Sequence, residues 1–122
     1  MKEIKKYHDK TTIISEHYYL DEQFRIQGEY KRWYKNGQLR LCSHCEDGLR
    51  NGEYKHWDQN GLLQHHSIWE RGKLHGEYRE WDKNGKIIHD FFCNDKKITN
   101  KVLPYIDNPV MIKLKFGIKL LT

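Results

Sequence analysis

The fold is decided by a pattern of ten residues that occurs three times in the chain. Its first copy is Gly28-Glu29-Tyr30-Lys31-Arg32-Trp33-Tyr34-Lys35-Asn36-Gly37. The second copy is Gly52-Glu53-Tyr54-Lys55-His56-Trp57-Asp58-Gln59-Asn60-Gly61, and the third is Gly76-Glu77-Tyr78-Arg79-Glu80-Trp81-Asp82-Lys83-Asn84-Gly85. Six columns hold the same residue in all copies: glycine, glutamate, tyrosine, tryptophan, asparagine and glycine. The spacing of 24 residues is typical of an array in which each repeat is one supersecondary unit.

Each period contains two turn signals. Asn-Gly ends the quoted stretch, and a second half-unit follows it and ends at Asp47-Gly48, Arg71-Gly72 and the degenerate Asp95-Lys96. Asn-Gly readily takes positive φ at both centres of a type I′ hairpin turn. The segments between the turns are rich in Tyr, Trp, Leu and Ile and lack helical spacing. The sequence therefore predicts an all-β fold: an elongated, twisted, single-layer antiparallel meander of β-hairpin repeats with two strands per period.

Residues in the shared columns are predicted to form the turns and the packing rows. Equivalent residues in neighbouring repeats should lie about 10 Å apart, since two strands separate them. Tyrosine and tryptophan are three positions apart, so their rows should line opposite faces unless a bulge intervenes. The repeat-defining residues are Gly28, Tyr30, Trp33, Asn36, Gly37, Gly52, Tyr54, Trp57, Asn60, Gly61, Gly76, Tyr78, Trp81, Asn84 and Gly85.

The chain divides into three expected parts. Residues 1–27 form an N-terminal segment with a degenerate cap repeat, 28–99 hold the three repeats, and 100–122 hold a degenerate repeat and a capping or edge C-terminal strand. One repeat cannot fold alone, because ordering 24 backbones costs more than burying its few apolar side chains returns. Stability should therefore depend on stacked neighbours and on caps at both ends.

Composition limits the classes of protein. The chain of 122 residues has 22 Lys plus Arg against 17 Asp plus Glu, and the two signs are interleaved rather than segregated, which argues against a nucleic-acid surface. No apolar run approaches a membrane span, and the charged N-terminus does not resemble a secretory signal. We expect a cytoplasmic protein, neither secreted nor transmembrane. The lack of Ala and the excess of 16 Lys over 6 Arg indicate an AT-rich genome.

Cysteine and histidine patterns do not predict a metal or catalytic site. Cys42 and Cys45 flank Ser43-His44, but positions three apart on a strand face opposite sides, and no second Cys pair completes a zinc site. Cys45 and Cys93 should lie about 20 Å apart, too far for a disulfide. His17, His65 and His89 share a column with Leu41, so they should form a row rather than one metal site. The predicted chemistry is therefore three free packed thiols, no cofactor, no metal and no catalytic group.

The three copies G-E-Y-K-R-W-Y-K-N-G, G-E-Y-K-H-W-D-Q-N-G and G-E-Y-R-E-W-D-K-N-G, with their E-D-G and E-R-G turns, resemble the MORN-repeat family. The nearest pattern is its W-x-x-N-G variant with a 24-residue period, which resembles arrays in giant DNA viruses of amoebae and antitoxin-like bacterial proteins. Residues 28–99 carry the resemblance, and 14–27 and 100–109 carry it weakly. It implies a hairpin array used for scaffolding, protein contact or, in some members, membrane-lipid association.

Three functions follow as expectations. The leading one is a non-enzymatic module for protein–protein interaction or structural scaffolding, from a giant DNA virus, with a virion or host protein as partner. The second is a peripheral module for anionic lipids, in which Lys113, Lys115 and Lys119 touch the membrane. The third is an antitoxin-like protein that masks a toxin.

Overall fold

A computed structural model of the chain describes residues 1–94 and 97–100. Nine strands pair in sequence order, each antiparallel to its neighbours, and form one sheet. They are β1 (Lys2–Tyr7), β2 (Ile14–Leu20), β3 (Gly28–Trp33), β4 (Leu39–Glu46), β5 (Leu49–Trp57), β6 (Leu63–Glu70), β7 (Lys73–Trp81), β8 (Ile87–Asn94) and β9 (Lys97–Asn100). The residues described contain no helix, and the predicted all-β meander is confirmed. The predicted C-terminal capping strand lies outside these residues.

The turn predicted at Asn-Gly is wrong in type. Only the glycine of each pair has positive φ, 87° at Gly37 and at Gly61 and 81° at Gly85. In the first loop the Gly37 N–H donates to the Tyr34 carbonyl over 3.0 Å, and the Tyr34 N–H donates to the Gln38 carbonyl over 2.9 Å. A three-residue loop that ends in a left-handed glycine makes these bonds, whereas a two-residue type I′ turn does not.

An aspartate begins the second and third Asn-Gly loops and adds hydrogen bonds that hold the longer loop. Asp58 Oδ1 accepts hydrogen bonds from the N–H groups of Asn60 and Leu62, at 2.8 and 3.0 Å. Asp82 Oδ1 does the same for Asn84 and Lys86. A carboxylate that bonds two backbone donors fixes the loop around itself, and the asparagine then needs no left-handed conformation.

The two-residue turns occur at the other end of the hairpins. Asp47 and Gly48 have φ of 53° and 79°, and Arg71 and Gly72 have φ of 49° and 80°. Positive φ at both positions is the type I′ pattern. The third turn signal, Asp95-Lys96, lies outside the described residues.

The glycine that begins the second and the third repeat sits where two strands change register. Tyr54 is opposite Ser43 but Arg50 is opposite Cys45, so β5 holds extra residues between these pairs. Gly52 lies in this bulge at a φ of 114°, and Gly76 lies in the corresponding bulge at 122°. A Cβ on Gly76 would also lie 3.0 Å from Ile68 Cβ. Glycine is required there both by the backbone conformation and by the close approach of β6.

The segment between β2 and β3 contains a loop that the repeat pattern does not predict. Asp21 Oδ1 accepts from the N–H groups of Gln23 and Arg25, as Asp58 does in its own loop. Phe24 then occupies the position of the glycine, with a φ of 61° and a residue exposure of 80%. An aromatic residue is therefore held in a backbone region that normally belongs to glycine.

Candidate functional site

The register of the sheet assigns side chains to two faces. Residues directly opposite one another share a face, as do residues two apart on a strand. We call one side the aromatic face; its central row crosses six strands and consists of Tyr30, Ser43, Tyr54, Ser67, Tyr78 and Phe91. We call the other side the charged face; one of its rows consists of Lys31, Cys42, Lys55, His66, Arg79 and Asp90.

Burial is concentrated on the aromatic face. Apart from Gly76, which has no side chain, the buried residues of the described chain all belong to it, namely Ser43, Cys45, Ser67, Tyr78, Phe91 and Cys93. Serine alternates with tyrosine in the central row, so each small side chain leaves room for the rings on both sides. Phe91 takes the place of the serine in the last repeat and is completely buried.

Four rings on the aromatic face contact one another in a series. His65 meets Tyr54 at a centroid distance of 5.3 Å and an interplanar angle of 88°, and it meets Tyr78 at 4.7 Å and 90°. Tyr78 stacks on Phe91 at 4.6 Å and 15°. Edge-to-face and stacked rings at these distances attract one another beyond the effect of burial alone. The imidazole therefore joins two repeats whose tyrosines lie on separate hairpins.

His65 is neutral at pH 7. Burial is the main cause that lowers its pKa from 6.5 to about 4, and Glu80 opposes this shift only in part. Trp69 Nε1 donates to Ser67 Oγ over 2.7 Å, and Ser67 Oγ lies 2.8 Å from His65 Nε2. The indole can only donate, so the hydroxyl proton of Ser67 is available to a neutral His65. The result is a chain from Trp69 through Ser67 to His65 inside the sheet face.

A hollow of about 560 Å³ opens on this face between the second and third repeats. Its walls include four large aromatic side chains and several polar ones: Tyr54, Trp69, Tyr78, Trp81, Arg50, His56, Gln64, His65 and Glu80. Burial, together with the positive charge of Arg40, lowers the pKa of His56. Burial and the neighbouring Glu80 raise the pKa of the Tyr78 hydroxyl, which donates to Glu80 Oε2 over 3.3 Å. At pH 7 the hollow therefore presents neutral rings and two formal charges, Arg50 and Glu80.

Arg50 lies over two of these rings. Its Cζ atom is 4.3 Å from the centroid of Tyr54 and 4.9 Å from the centroid of Trp69. Both distances fall within the range of cation–π attraction. The guanidinium is thus placed by aromatic contacts, while its N–H groups extend from the edges of its plane.

The charged face carries ion pairs of alternating sign. Within single strands, Lys31 lies 3.2 Å from Glu29 and Lys55 lies 3.2 Å from Glu53. Arg79 lies 3.5 Å from Glu77 and 3.4 Å from Asp90. The exposed lysine pairs contribute little to stability, while the Arg79 pairs are partly buried. Positive and negative charges therefore alternate along the rows.

The first repeat uses its tyrosine differently. The Tyr30 hydroxyl donates to Glu16 Oε2, and its ring packs on Tyr18 at a centroid distance of 5.5 Å. Burial, and then this hydrogen bond, raise the pKa of Tyr30. Tyr18 thus fills the position that Ser43 and Ser67 hold farther along the sheet, and a tyrosine pair replaces the ring series.

The predicted tryptophan row departs from simple alternation. A register shift separates each tryptophan from the residue before it, as between Glu80 and Trp81. Trp81 lines the hollow together with Tyr54 and Tyr78. The bulge that the sequence analysis named as an exception is therefore present, and the third tryptophan reaches the aromatic side.

The histidine column predicted from the 24-residue offset is wrong at its first member. Arg32 lies opposite Glu16 on β2 and opposite Leu41 on β4, whereas His17 lies opposite Lys31. The longer β2–β3 segment shifts β2 by one residue, which moves His17 to the charged face. His17 Nε2 instead lies 2.9 Å from Glu3 Oε2, and this bond lowers the pKa of Glu3.

The cysteines are packed thiols. Cys45 and Cys93 are buried, Cys42 is half-buried, and none of the three takes part in a disulfide. Burial raises the pKa of Cys42. Across residues 1–94 and 97–100, His, Cys, Asp and Glu form no group of three that could hold a metal ion. Within the same residues, no helix is long and apolar enough to cross a membrane.

Some predicted contact residues cannot be placed. Lys113, Lys115 and Lys119 lie outside the described residues. Conversely, the sequence analysis did not single out Arg50, Ser67 or Trp69. For Arg50 and Trp69 the signal was a departure from the repeat: Arg50 stands in a column with Ile26, Leu74 and Ile98, and Trp69 stands between Cys45 and Cys93.

Comparison with known proteins identifies the repeats. A family profile described as "MORN repeat variant" matches residues 26–44 and 74–92. Neither the curated proteins nor the solved structures gave a match to the chain. The two profile matches begin near Gly28 and Gly76 and run through the Asn-Gly loops into the following strands. The first and third repeats of this chain are therefore identified as MORN repeats of the variant type.

Proposed function

We propose that this chain is a non-enzymatic repeat module that binds another protein through its aromatic face. The observation that carries the proposal is the open hollow walled by Tyr54, Trp69, Tyr78 and Trp81. Tyrosine and tryptophan are the side chains that most often dominate the binding energy of protein interfaces. A hollow among them can accept side chains from a partner, while the surrounding sheet supplies a rigid frame.

The arrangement of polar groups supports a binding role over catalysis. Glu80 accepts from the Tyr78 hydroxyl and lies 3.2 Å from His89, and His65 contacts Ser67. These polar groups therefore form hydrogen bonds with one another on the face of the sheet, and aromatic rings pack against them. A catalytic centre needs a nucleophile or base directed at a site for the reacting atom, whereas His65 and Glu80, which line the hollow, are engaged by Ser67, Tyr78 and His89.

The charged face supports a protein partner over a nucleic acid. Glutamates 29, 53 and 77 accompany the basic residues 31, 55 and 79 at distances of 3.2 to 3.5 Å. Phosphate backbones are bound by basic groups without interleaved acids. The mixed row is suited to solvent, so the aromatic face remains the stronger candidate for the interface.

The proposal extends to source and place of action. The lack of Ala and the excess of Lys over Arg support an AT-rich genome, and the repeat variant resembles arrays of giant DNA viruses. We therefore assign the chain a scaffolding or adaptor role in the cytoplasm of an infected host or in the virion. Mass spectrometry of purified particles and of the surrounding lysate would detect it in one of these locations, and its absence from both removes this part of the proposal.

The experiment for the main proposal is capture from the native source with three baits. Wild type, Trp81→Ser and Lys55→Ser are compared, because Trp81 lines the hollow and Lys55 belongs to the charged face. We expect wild type and Lys55→Ser to retain the same protein in stoichiometric amount and Trp81→Ser to lose it. Loss with Lys55→Ser alone, or no retained protein with wild type, contradicts binding through the aromatic face.

A further inference from the structure

We infer that Arg50 is the recognition point of the aromatic face for one carboxylate, carried by an acidic side chain of the partner protein. The inference rests on the proposed function and names the chemistry of the partner at the same hollow. Four observations carry it: the placement of the guanidinium, the absence of an internal partner, the break in the repeat and the charge balance of the hollow.

The placement comes first. Arg50 Cζ lies 4.3 Å from the Tyr54 centroid and 4.9 Å from the Trp69 centroid, and the Trp69 indole is itself fixed by its bond to Ser67. A guanidinium over aromatic rings keeps its in-plane N–H donors available, and their fork matches the two oxygens of a carboxylate. Arg50 is exposed, so these donors can be reached from outside.

Arg50 has no internal carboxylate. Among the residues that the structure describes, no hydrogen bond or ion pair reaches its guanidinium. Two other arginines show the contrast: Arg25 pairs with Asp21 and Asp47, and Arg79 pairs with Glu77 and Asp90. Arg25 and Arg79 thus form ion pairs within the chain, whereas the guanidinium of Arg50 is available for an ion pair with a partner protein.

The repeat shows that the fold does not need this arginine. The same column holds Ile26, Leu74 and Ile98, so an aliphatic side chain suffices in the other repeats. Its contact Trp69 is likewise unique in a column that otherwise holds Cys45 and Cys93. Two departures from the repeat that touch each other, beside the same hollow, indicate a specific function for the pair.

The charge balance selects a carboxylate over a phosphate. Arg50 is the cation of the hollow, since His56 and His65 are held neutral by burial. Glu80 lines the same hollow, and its negative charge would repel a dianion. Phosphate groups are usually bound by clusters of arginine. One arginine beside one glutamate suits a ligand group with a single negative charge. The partner residues next to that group should be apolar or aromatic, since rings line the hollow.

A random peptide library displayed on phage tests the inference. Selection is done on wild type, on Arg50→Leu and on Lys55→Leu. Leucine is the residue that the next repeat uses in the Arg50 column, so Arg50→Leu should keep the fold, and circular dichroism checks this. For wild type and Lys55→Leu we expect Asp or Glu enriched at least tenfold at one position next to aromatic or aliphatic residues, and for Arg50→Leu we expect no acidic enrichment.

Several results overturn the inference. They are peptides without acidic enrichment, the same enrichment on Arg50→Leu, and the failure of wild type to select any peptide. Vesicles of phosphatidylcholine with phosphatidylserine form a second arm: retention of wild type but not of Arg50→Leu would assign Arg50 to a lipid headgroup. If native capture still yields a partner that Arg50→Leu also retains, the inference fails while the proposed function stands. If wild type captures no partner, the proposed function fails.

Discussion

The imidazole of His65 stands at 90° to the ring of Tyr78, with the two centroids 4.7 Å apart. On its other side it meets Tyr54 at 88°. The two tyrosines belong to successive repeats, so a single neutral histidine connects the second hairpin to the third. A group that is neutral in the folded protein and readily protonated when unfolded makes this connection sensitive to acid.

We predict that His65 lowers stability as the pH falls from about 6.5 to about 4. Its folded pKa of about 4 lies below the unperturbed 6.5, so in this range the unfolded chain binds a proton that the folded protein does not. The contribution of His65 to the free energy of unfolding is therefore fully present above pH 6.5. It is lost as the pH falls toward 4, which lowers the free energy of unfolding by on the order of 2–3 kcal/mol. Urea denaturation at several pH values measures the slope.

The variant His65→Phe removes the titration and keeps a ring between the two tyrosines. Between pH 7 and pH 4 the unfolding free energy of this variant should fall less than that of wild type. The difference should equal the contribution predicted for His65. His44→Gln is the matched control, because His44 is an exposed histidine of β4 on the charged face. A wild-type slope in His65→Phe would show that His65 is not the group responsible.

The strained loop gives a second prediction. Phe24 has a φ of 61° at the position that glycine holds in the loops ending at Gly37, Gly61 and Gly85. A left-handed conformation costs a residue with a Cβ about 1–2 kcal/mol, and the 80% exposed ring makes few contacts in return. Phe24→Gly should therefore raise the free energy of unfolding by about 1 kcal/mol, which thermal and urea denaturation can measure.

Gly37→Phe is the converse variant. Gly37 has a φ of 87°, and a Cβ there would meet no atom within 4 Å, so only the backbone conformation opposes the change. The free energy of unfolding of this variant should be about 1–2 kcal/mol lower than that of wild type. Destabilisation by Phe24→Gly would mean that the Phe24 ring packs in a way its exposure does not indicate.

The asparagines of the repeats predict a difference between positions that look identical in the sequence. Asn36 Oδ1 accepts from the Gln38 N–H, and Asn36 Nδ2 donates to the Gln59 carbonyl of the next loop, both over 2.9 Å. In the second loop it is Asp58, and not Asn60, that accepts the corresponding hydrogen bond, from the Leu62 N–H. Asn36→Ala should therefore cost about 1 kcal/mol, whereas Asn60→Ala should change stability by less than about 0.5 kcal/mol. Equal losses in chemical denaturation would contradict this division of roles.

These examples show how far the repeat pattern reaches. The 24-residue period, the two strands per period and the row of Tyr30, Tyr54 and Tyr78 are all readable from the sequence, because apolar alternation and turn residues act locally. The turn geometry was not readable, because Asn-Gly fits both a type I′ turn and a three-residue loop, and side-chain hydrogen bonds from Asn36, Asp58 and Asp82 hold the loop.

Register and contacts across strands exceed what the pattern can show. His17 and His65 share a column of the sequence, yet the longer β2–β3 segment puts them on opposite faces. Arg50 and Trp69 are 19 positions apart, and only the fold brings the guanidinium over the indole. A departure from the repeat was visible at both positions, but its meaning depended on knowing that the two departures touch.

Phe91 provides the last prediction. It occupies the row in which Ser43 and Ser67 precede it, so Phe91→Ser restores the residue of the other repeats. Phe91 is nevertheless completely buried and stacks on Tyr78 at 4.6 Å. Replacing it leaves a cavity and removes the stacking contact with Tyr78, so we expect the free energy of unfolding to fall by about 3–4 kcal/mol.

The neighbouring phenylalanine is the control for this change. Phe92 lies on the charged face opposite Glu77 and is 39% exposed, so Phe92→Ser should cost less than about 1 kcal/mol. Urea denaturation of both variants under identical conditions measures the difference. Similar losses would show that repeat identity, rather than burial on the aromatic face, sets the contribution of a residue in this row. A large loss confined to Phe91→Ser would show that the array depends on a residue that its own repeat pattern marks as an exception.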